Sequence, residues 1–155
     1  MMGAVMDVRI TEADFDITAE HDALKARAVG AIVTFTGTVR GDDDGVKITA
    51  LTLEHFPGMT EAEITRIIET ARDRWSLAGV TVIHRVGRLL PEDNIVFIGV
   101  AAAHREAAFA GASFIMDYLK TKAPFWKKAE DASGESWVEA RASDDAAADR
   151  WDETD

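Results

Sequence analysis

Hydrophobic and polar positions along this chain follow two periods, and each change of period marks an element. Val8-Arg9-Ile10 reads as a short strand, and Thr18 can cap a helix over residues 19–28, with Gly30 just past its end. Ala31, Val33, Phe35 and Val39 then alternate with Thr34, Thr36 and Thr38, the pattern of a half-buried strand over 31–40. Gly37 within it points to a bulge or a close backbone approach. Arg40 ends the strand, and the turn Gly41-Asp42-Asp43-Asp44-Gly45 leads into a second strand over 46–56, so that the two form a long hairpin. Pro57-Gly58 is a turn signal, and Thr60-Glu61-Ala62-Glu63 is a capping box opening a helix with Ile64, Ile67, Ile68, Ala71 and Trp75 on one stripe.

The second half repeats the alternation. Residues 80–86 read as a strand, with His84 on the Val80/Val82 face as a hydrogen-bonded structural histidine, and 89–94 as a loop. Residues 95–103 are nearly all apolar, which suits a central strand covered on both faces. His104-Arg105-Glu106 begin a helix whose apolar positions include Ala108, Phe109, Ala112, Ile115, Met116 and Leu119. Pro124 cannot continue it, so Lys120 ends a helix and Lys127 opens an extended segment. Two short strands, 125–129 and 136–141, flank Ala132-Ser133-Gly134, and the tail from residue 142, with six acidic residues and one basic, reads as solvated or frayed. Strands and helices mixed in this order give an α+β domain spanning residues 1–155, with no repeat or linker.

Charge changes the picture at one place. The formal net charge is −11, yet residues 114–128 hold four lysines against Asp117 alone, a local balance of 4 − 1 = +3, interleaved with Phe114, Tyr118, Phe125 and Trp126. The plain reading is solvated lysines and core aromatics. The functional one is that Lys120 and Lys127, on two sides of a rigid corner, point into one pocket. Arg40, His104, Arg105, Lys120, Lys127 and Arg141 all fall at ends of elements, where scaffolds present functional groups. His104 and Arg105 add positive charge to a helix N-terminus, which favours anions. Together the six would bind a phosphate or carboxylate. A lysine buried near other cations loses basicity and can act as base or nucleophile. An acidic chain argues against general nucleic-acid binding. The absence of cysteine excludes disulfides, thiolate metal sites and a cysteine nucleophile, and the scattered histidines argue against a metal. With neither a signal peptide nor a membrane-length apolar run, a cytoplasmic location is expected.

Several stretches together resemble the catalytic (large) subunit of molybdopterin synthase. They are Thr34-Phe35-Thr36-Gly37-Thr38-Val39-Arg40, Leu51-Thr52-Leu53-Glu54-His55-Phe56-Pro57-Gly58-Met59, Val82-Ile83-His84-Arg85-Val86-Gly87, Ala103-His104-Arg105, residues 114–128, and Trp137-Val138-Glu139-Ala140-Arg141. The resemblance implies an α/β hammerhead fold with a mixed sheet and flanking helices. It implies a sulfurtransferase of molybdenum cofactor biosynthesis that converts cyclic pyranopterin monophosphate (precursor Z) to molybdopterin. Two sulfurs would arrive as the C-terminal thiocarboxylate of a small ubiquitin-like subunit, within a heterotetramer built on a homodimer. No cofactor is implied. A chain without cysteine fits, since the sulfur comes from elsewhere. Carried over by residue, Lys120 and Lys127 match the catalytic lysines, and Thr38, Val39, Arg40, His104, Arg105, Lys128, Ala129 and Arg141 match substrate-binding positions. Lys120 would meet the partner's C-terminus and Lys127 the pterin intermediate. Ala129 departs from the family, where a glutamate often follows the basic pair, and Glu130 one place later should face away. Thr38 is a milder departure, since a lysine is common there. The competing class is a non-catalytic module that holds an anion or a partner's tail.

Overall fold

A run of seven buried residues, Val96 to Ala102, makes β8 (Asn94–Ala102) the strand on which the larger sheet assembles. A strand this apolar must be covered on both faces and paired on both edges. It lies antiparallel between β6 (Gly79–Arg85) and β2 (Ala31–Thr38), and β1 (Val5–Thr11) adds parallel to β6, giving the order β1-β6-β8-β2. The computed structural model describes residues 5–138 and 142–152.

Two helices cover one face. α2 (Met59–Trp75) buries Ile64, Ile67, Ile68 and Ala71, the stripe read from the sequence. α3 (Arg105–Thr121) buries Ala108, Ala112, Ile115 and Leu119 beside it, and both rest on Val80, Val82, Ile98 and Val100. On the other face Phe15 packs on Phe97 with ring centroids 5.7 Å apart, and a side chain at Gly99 would strike Leu24 at 2.6 Å. Between these residues lies the short α1 (Ile17–Asp22), capped by Asp16, whose carboxylate accepts from the Ala19 N–H at 3.1 Å. The cap is thus Asp16 rather than Thr18, and the helix is shorter than the sequence suggested.

A second sheet runs β10-β9-β5-β7 and comprises β5 (Ala50–His55), β7 (Gly87–Leu89), β9 (Phe125–Asp131) and β10 (Gly134–Val138). Its own small core is Val39, Leu53 and Leu89. This sheet overturns the expected long hairpin. β2 pairs with β8 from Ala31↔Ala102 to Thr38↔Asn94, while the following segment splits. Its first part closes a small hairpin, β3 (Asp42–Asp43) with β4 (Val46–Lys47), and its second part, β5, joins β9 and β7. The apolar length of β8 attracts β2, and period alone carries no information about which strand pairs with which. β7 falls where a loop was expected to begin.

Two further corrections concern helix ends. α2 begins at Met59, with Gly58 at φ 87° and its N–H donating to Glu61 Oε1 at 3.0 Å, so the cap sits two residues earlier than the sequence signature and makes only the glutamate half of a capping box. Thr60 is instead buried: its hydroxyl accepts from the Phe56 N–H and donates to the Pro124 carbonyl, both at 3.0 Å. The acidic tail, expected to be solvated or frayed, is helical over its described residues. It forms α4 (Ala142–Asp152), with Ala148 only 2% exposed. Trp151 packs edge-on against Trp75 and Phe114 and donates from Nε1 to Asp117 at 2.7 Å. No described helix is long and apolar enough to cross a membrane.

Replacing Trp151 by Ala removes this aromatic contact and an indole hydrogen bond. It should lower stability by about 2–4 kcal/mol in urea unfolding. An unchanged midpoint would show that α4 contributes nothing to the fold.

Candidate functional site

The end of α3 and the start of β9 flank a cavity of about 90 Å³. The chain turns between them at Pro124, where the Phe125 N–H donates to the Ala123 carbonyl at 2.9 Å, a γ-turn centred on the proline. Lys120 comes from the last turn of α3 and Lys127 from β9, and both line the cavity. The convergence expected from the corner is present. Met116 and Leu119 of α3, Ile95 and Val96 of β8, and Phe35, Gly37 and Thr38 of β2 complete the wall with His84 of β6.

Gly37 earns its place sterically. The β2–β8 register shifts between Gly37 and Thr38, and a Cβ at Gly37 would stand 2.8 Å from Val96 Cγ1. The bulge and the close approach foreseen from the sequence are both there, and the bulge places Thr38 at the cavity. Phe35, expected on the buried face of its strand, is 41% exposed and borders the cavity.

His84 is 6% exposed. Its Nδ1 lies 2.8 Å from the Arg85 carbonyl oxygen, and its ring stacks on Phe125 with centroids 3.8 Å apart and planes 16° apart. Burial, chiefly, drives its pKa down from 6.5 to about 4, against the opposing pull of the Arg85 carbonyl, and the charges of Lys127, Lys120 and His55 push the same way as burial. The hydrogen-bonded histidine read from the sequence is therefore correct, and it also faces the cavity.

The other sequence candidates lie elsewhere. Val39 is buried with Leu53 and Leu89, its N–H bound to the Asp93 carbonyl. The side chain of Arg40 is 64% exposed and stands 3.6 Å from Asp43. His104 caps α3 without a side-chain cap bond, and Arg105 is exposed beside it. From Arg105 to Lys120 is 120 − 105 = 15 helical steps, about 22 Å at 1.5 Å each. One chain therefore cannot bring the His104/Arg105 pair and Lys120 onto one small ligand. Lys128 faces away from the cavity, 3.7 Å from Glu135 and 4.8 Å from the centre of the Trp137 ring. Ala129 is buried between Leu51 and Ser136 in the ladder, and Glu130 binds Arg88 at 2.9 Å rather than entering the cavity. Arg141 lies outside the described residues. Among the described residues no cluster of His, Asp and Glu could hold a metal ion. The sequence reading missed Phe35, Gly37, His84, Ile95, Val96, Met116 and Leu119 as lining residues. Only the glycine inside a strand gave a signal.

A cavity lined by two lysines at a helix–strand corner of an α+β fold is suited to an anionic ligand. The chain belongs to the MoaE protein family, whose model matches residues 10–122. It is 62% identical over 122 residues to the molybdopterin synthase catalytic subunit of Yersinia pestis, covering 79% of this chain and 81% of that one. It is 59% identical over 138 residues to the namesake of Escherichia coli (strain K12), covering 88% and 92%. Among solved structures, the molybdopterin biosynthesis MoaE protein from Burkholderia ambifaria MC40-6 superposes with a TM-score of 0.80 at 50% identity, over 96% of this chain and 99% of that one. Molybdopterin synthase from Staphylococcus aureus also superposes with a TM-score of 0.80, at 27% identity, over 84% and 96%.

The buried neutral His84 makes stability depend on pH. The folded ring stays unprotonated down to about 4, whereas the unfolded ring takes a proton at 6.5. Between these values the unfolded state binds more protons, so stability falls as pH falls through that window, by about 3 kcal/mol from this residue. Urea unfolding between pH 7 and 4 should show the loss, and a His84→Gln variant should lack that part of it.

Proposed function

We propose that this chain is the catalytic subunit of a molybdopterin synthase, acting on cyclic pyranopterin monophosphate with sulfur from a small subunit's C-terminal thiocarboxylate. The observation that carries the reading is the convergence of Lys120 and Lys127 on one cavity. The family membership supports it, and so does the lack of any cysteine, since no thiol of this chain could carry the sulfur.

The cavity's size divides the work. About 90 Å³ admits a terminal carboxylate-sized group, well short of the roughly 300–1,000 Å³ of a site that engulfs a whole ligand. The tail of the small subunit enters with its thiocarboxylate against Lys120, whose ammonium neutralises it. The sulfur then adds to a carbonyl carbon of the pterin side chain; the C=O π bond opens, its electron pair becomes an alkoxide on that oxygen, and Lys127 stabilises the alkoxide and gives it a proton. Water afterwards cleaves the acyl–sulfur bond, which leaves sulfur on the pterin and a carboxylate on the carrier.

A second copy of this chain completes the site. His104 and Arg105 stand at the N-terminus of α3, a place suited to the substrate's phosphate, yet about 22 Å from Lys120 of the same chain. In a homodimer these two residues of one copy reach the lysines of the other. Trp126 and Trp137, 46% and 56% exposed on one face of β9 and β10, form an apolar surface of the kind a protein partner covers. The assembly is a cytoplasmic heterotetramer, two copies of this chain with two small subunits.

Two experiments test this. With thiocarboxylated small subunit and precursor Z, the Lys120→Ala variant should lose at least about 100-fold in product formation, the scale of one lost electrostatic contact in the transition state, while still binding the small subunit. Full turnover by that variant would refute the assignment. Mixing inactive Lys120→Ala with inactive Arg105→Ala, after dissociation and reassociation, should restore about a quarter of wild-type activity, because half the dimers are mixed and each mixed dimer regains one intact site. No recovery would place both residues' functions within one copy.

A further inference from the structure

We infer that His84 is a substrate-contacting residue of this cavity, its Nε2 accepting a hydrogen bond from an N–H or O–H group of the molecule seated between Lys120 and Lys127. The inference deepens the sulfur-transfer reading and rests on it.

The tautomer follows from geometry. The Arg85 carbonyl can only accept, so Nδ1, 2.8 Å away, carries the hydrogen, and a neutral ring then leaves its lone pair on Nε2. Stacking on Phe125 and near-complete burial fix the ring in place. Among the described residues no protein group donates to Nε2, yet none of their buried side-chain nitrogens or oxygens is left unsatisfied. Nε2 therefore opens onto the cavity that His84 lines.

The remaining polar lining is Lys120, Lys127 and the hydroxyl of Thr38. Two ammonium groups offer only donors, which suits phosphate, carbonyl and thiocarboxylate oxygens. His84 is the complementary group, an acceptor that stays one. Lys120 of α3, Lys127 of β9 and His55 of β5 all oppose its protonation, as burial does most strongly. The ligand must then present a donor beside its acceptors. Two sources qualify: the N–H and O–H groups of a reduced pterin, and the peptide N–H groups of the small subunit's tail.

Three substitutions and one spectrum separate these outcomes. His84→Gln can place a carbonyl oxygen near the position of Nε2, whereas His84→Asn keeps only the donor toward the Arg85 carbonyl, and His84→Phe keeps only the stacking. Asn and Phe should lose about 10- to 100-fold in kcat/KM, and Gln should stay within a few-fold of wild type. A rise in KM for the pterin points to the pterin as donor, and a rise in KM for the small subunit points to its tail. In protein labelled with 15N-histidine, long-range proton–nitrogen spectra should show Nε2 unprotonated from pH 5.5 to 8. Its resonance should move on addition of precursor Z or of the small subunit in its carboxylate form. A hydrogen on Nε2 at neutral pH, or wild-type kcat/KM in a folded Asn variant, would overturn the inference. Wild-type protein without turnover would instead overturn the sulfur-transfer reading, and the spectrum, which needs no turnover, would still judge His84.

Discussion

A single buried hydroxyl holds the corner on which the site depends. Thr60 accepts from the Phe56 N–H and donates to the Pro124 carbonyl, so the end of β5, the start of α2 and the turn between α3 and β9 meet at one oxygen. Pro124 has no N–H and cannot continue α3, which forces the chain to leave the helix there. Without a partner, the proline's carbonyl would be a polar group at the protein's interior edge, and the turn would have several ways to run. Thr60 selects one of them. Lys120 before the turn and Lys127 after it then face the same space, each on a regular element that limits its movement.

Placement of charge is the second constraint. The chain is strongly acidic, but no carboxylate is among the described residues that line the cavity, and three on neighbouring elements are engaged elsewhere. Asp117 accepts from Trp151 and Arg150 of α4, Glu130 pairs with Arg88, and Glu135 lies near Lys128. Exposed pairs of this kind contribute little stability, typically below about 1 kcal/mol. Their effect here is to keep negative charge out of the cavity. His84 belongs to the same design. It brings polarity without adding either charge, so the field on an anionic ligand comes from the lysines.

Much of this was legible in the chain. The α2 stripe, the fully apolar β8, the glycine bulge in β2 and the proline corner each carry a local signature that their surroundings reinforce. Pairing was not legible, because the alternation in residues 31–40 and 46–56 is equally consistent with a hairpin and with membership of two sheets. Only the demand of β8 for neighbours decides between them. Nor was α4 legible. Its acidic composition hides the two residues, Ala148 and Trp151, that dock it onto Trp75 and Phe114. Their shared position at element ends made His104 and Arg105 look like neighbours of the lysines, and helical rise sets them at the far end of α3.

That distance gives α3 its logic. A helix favours anions at its N-terminus and cations at its C-terminus. Arg105 and His104 reinforce the first tendency, and Lys120 satisfies the second. Under the proposed function each end is a half-site: Lys120 sits with the helix's field, whereas Arg105, a cation at the N-terminus, stands against it until an anion binds there. A fold that needs both halves on one ligand can lengthen its loops or pair two helices in opposite directions. Two-fold symmetry supplies the second solution twice over, since every contact it makes is repeated. Under the proposed function, the separation within one chain is a reason for a dimer rather than a defect in the site, and assembly becomes a condition of chemistry: a lone copy would hold the lysines but not the group proposed to steady the phosphate.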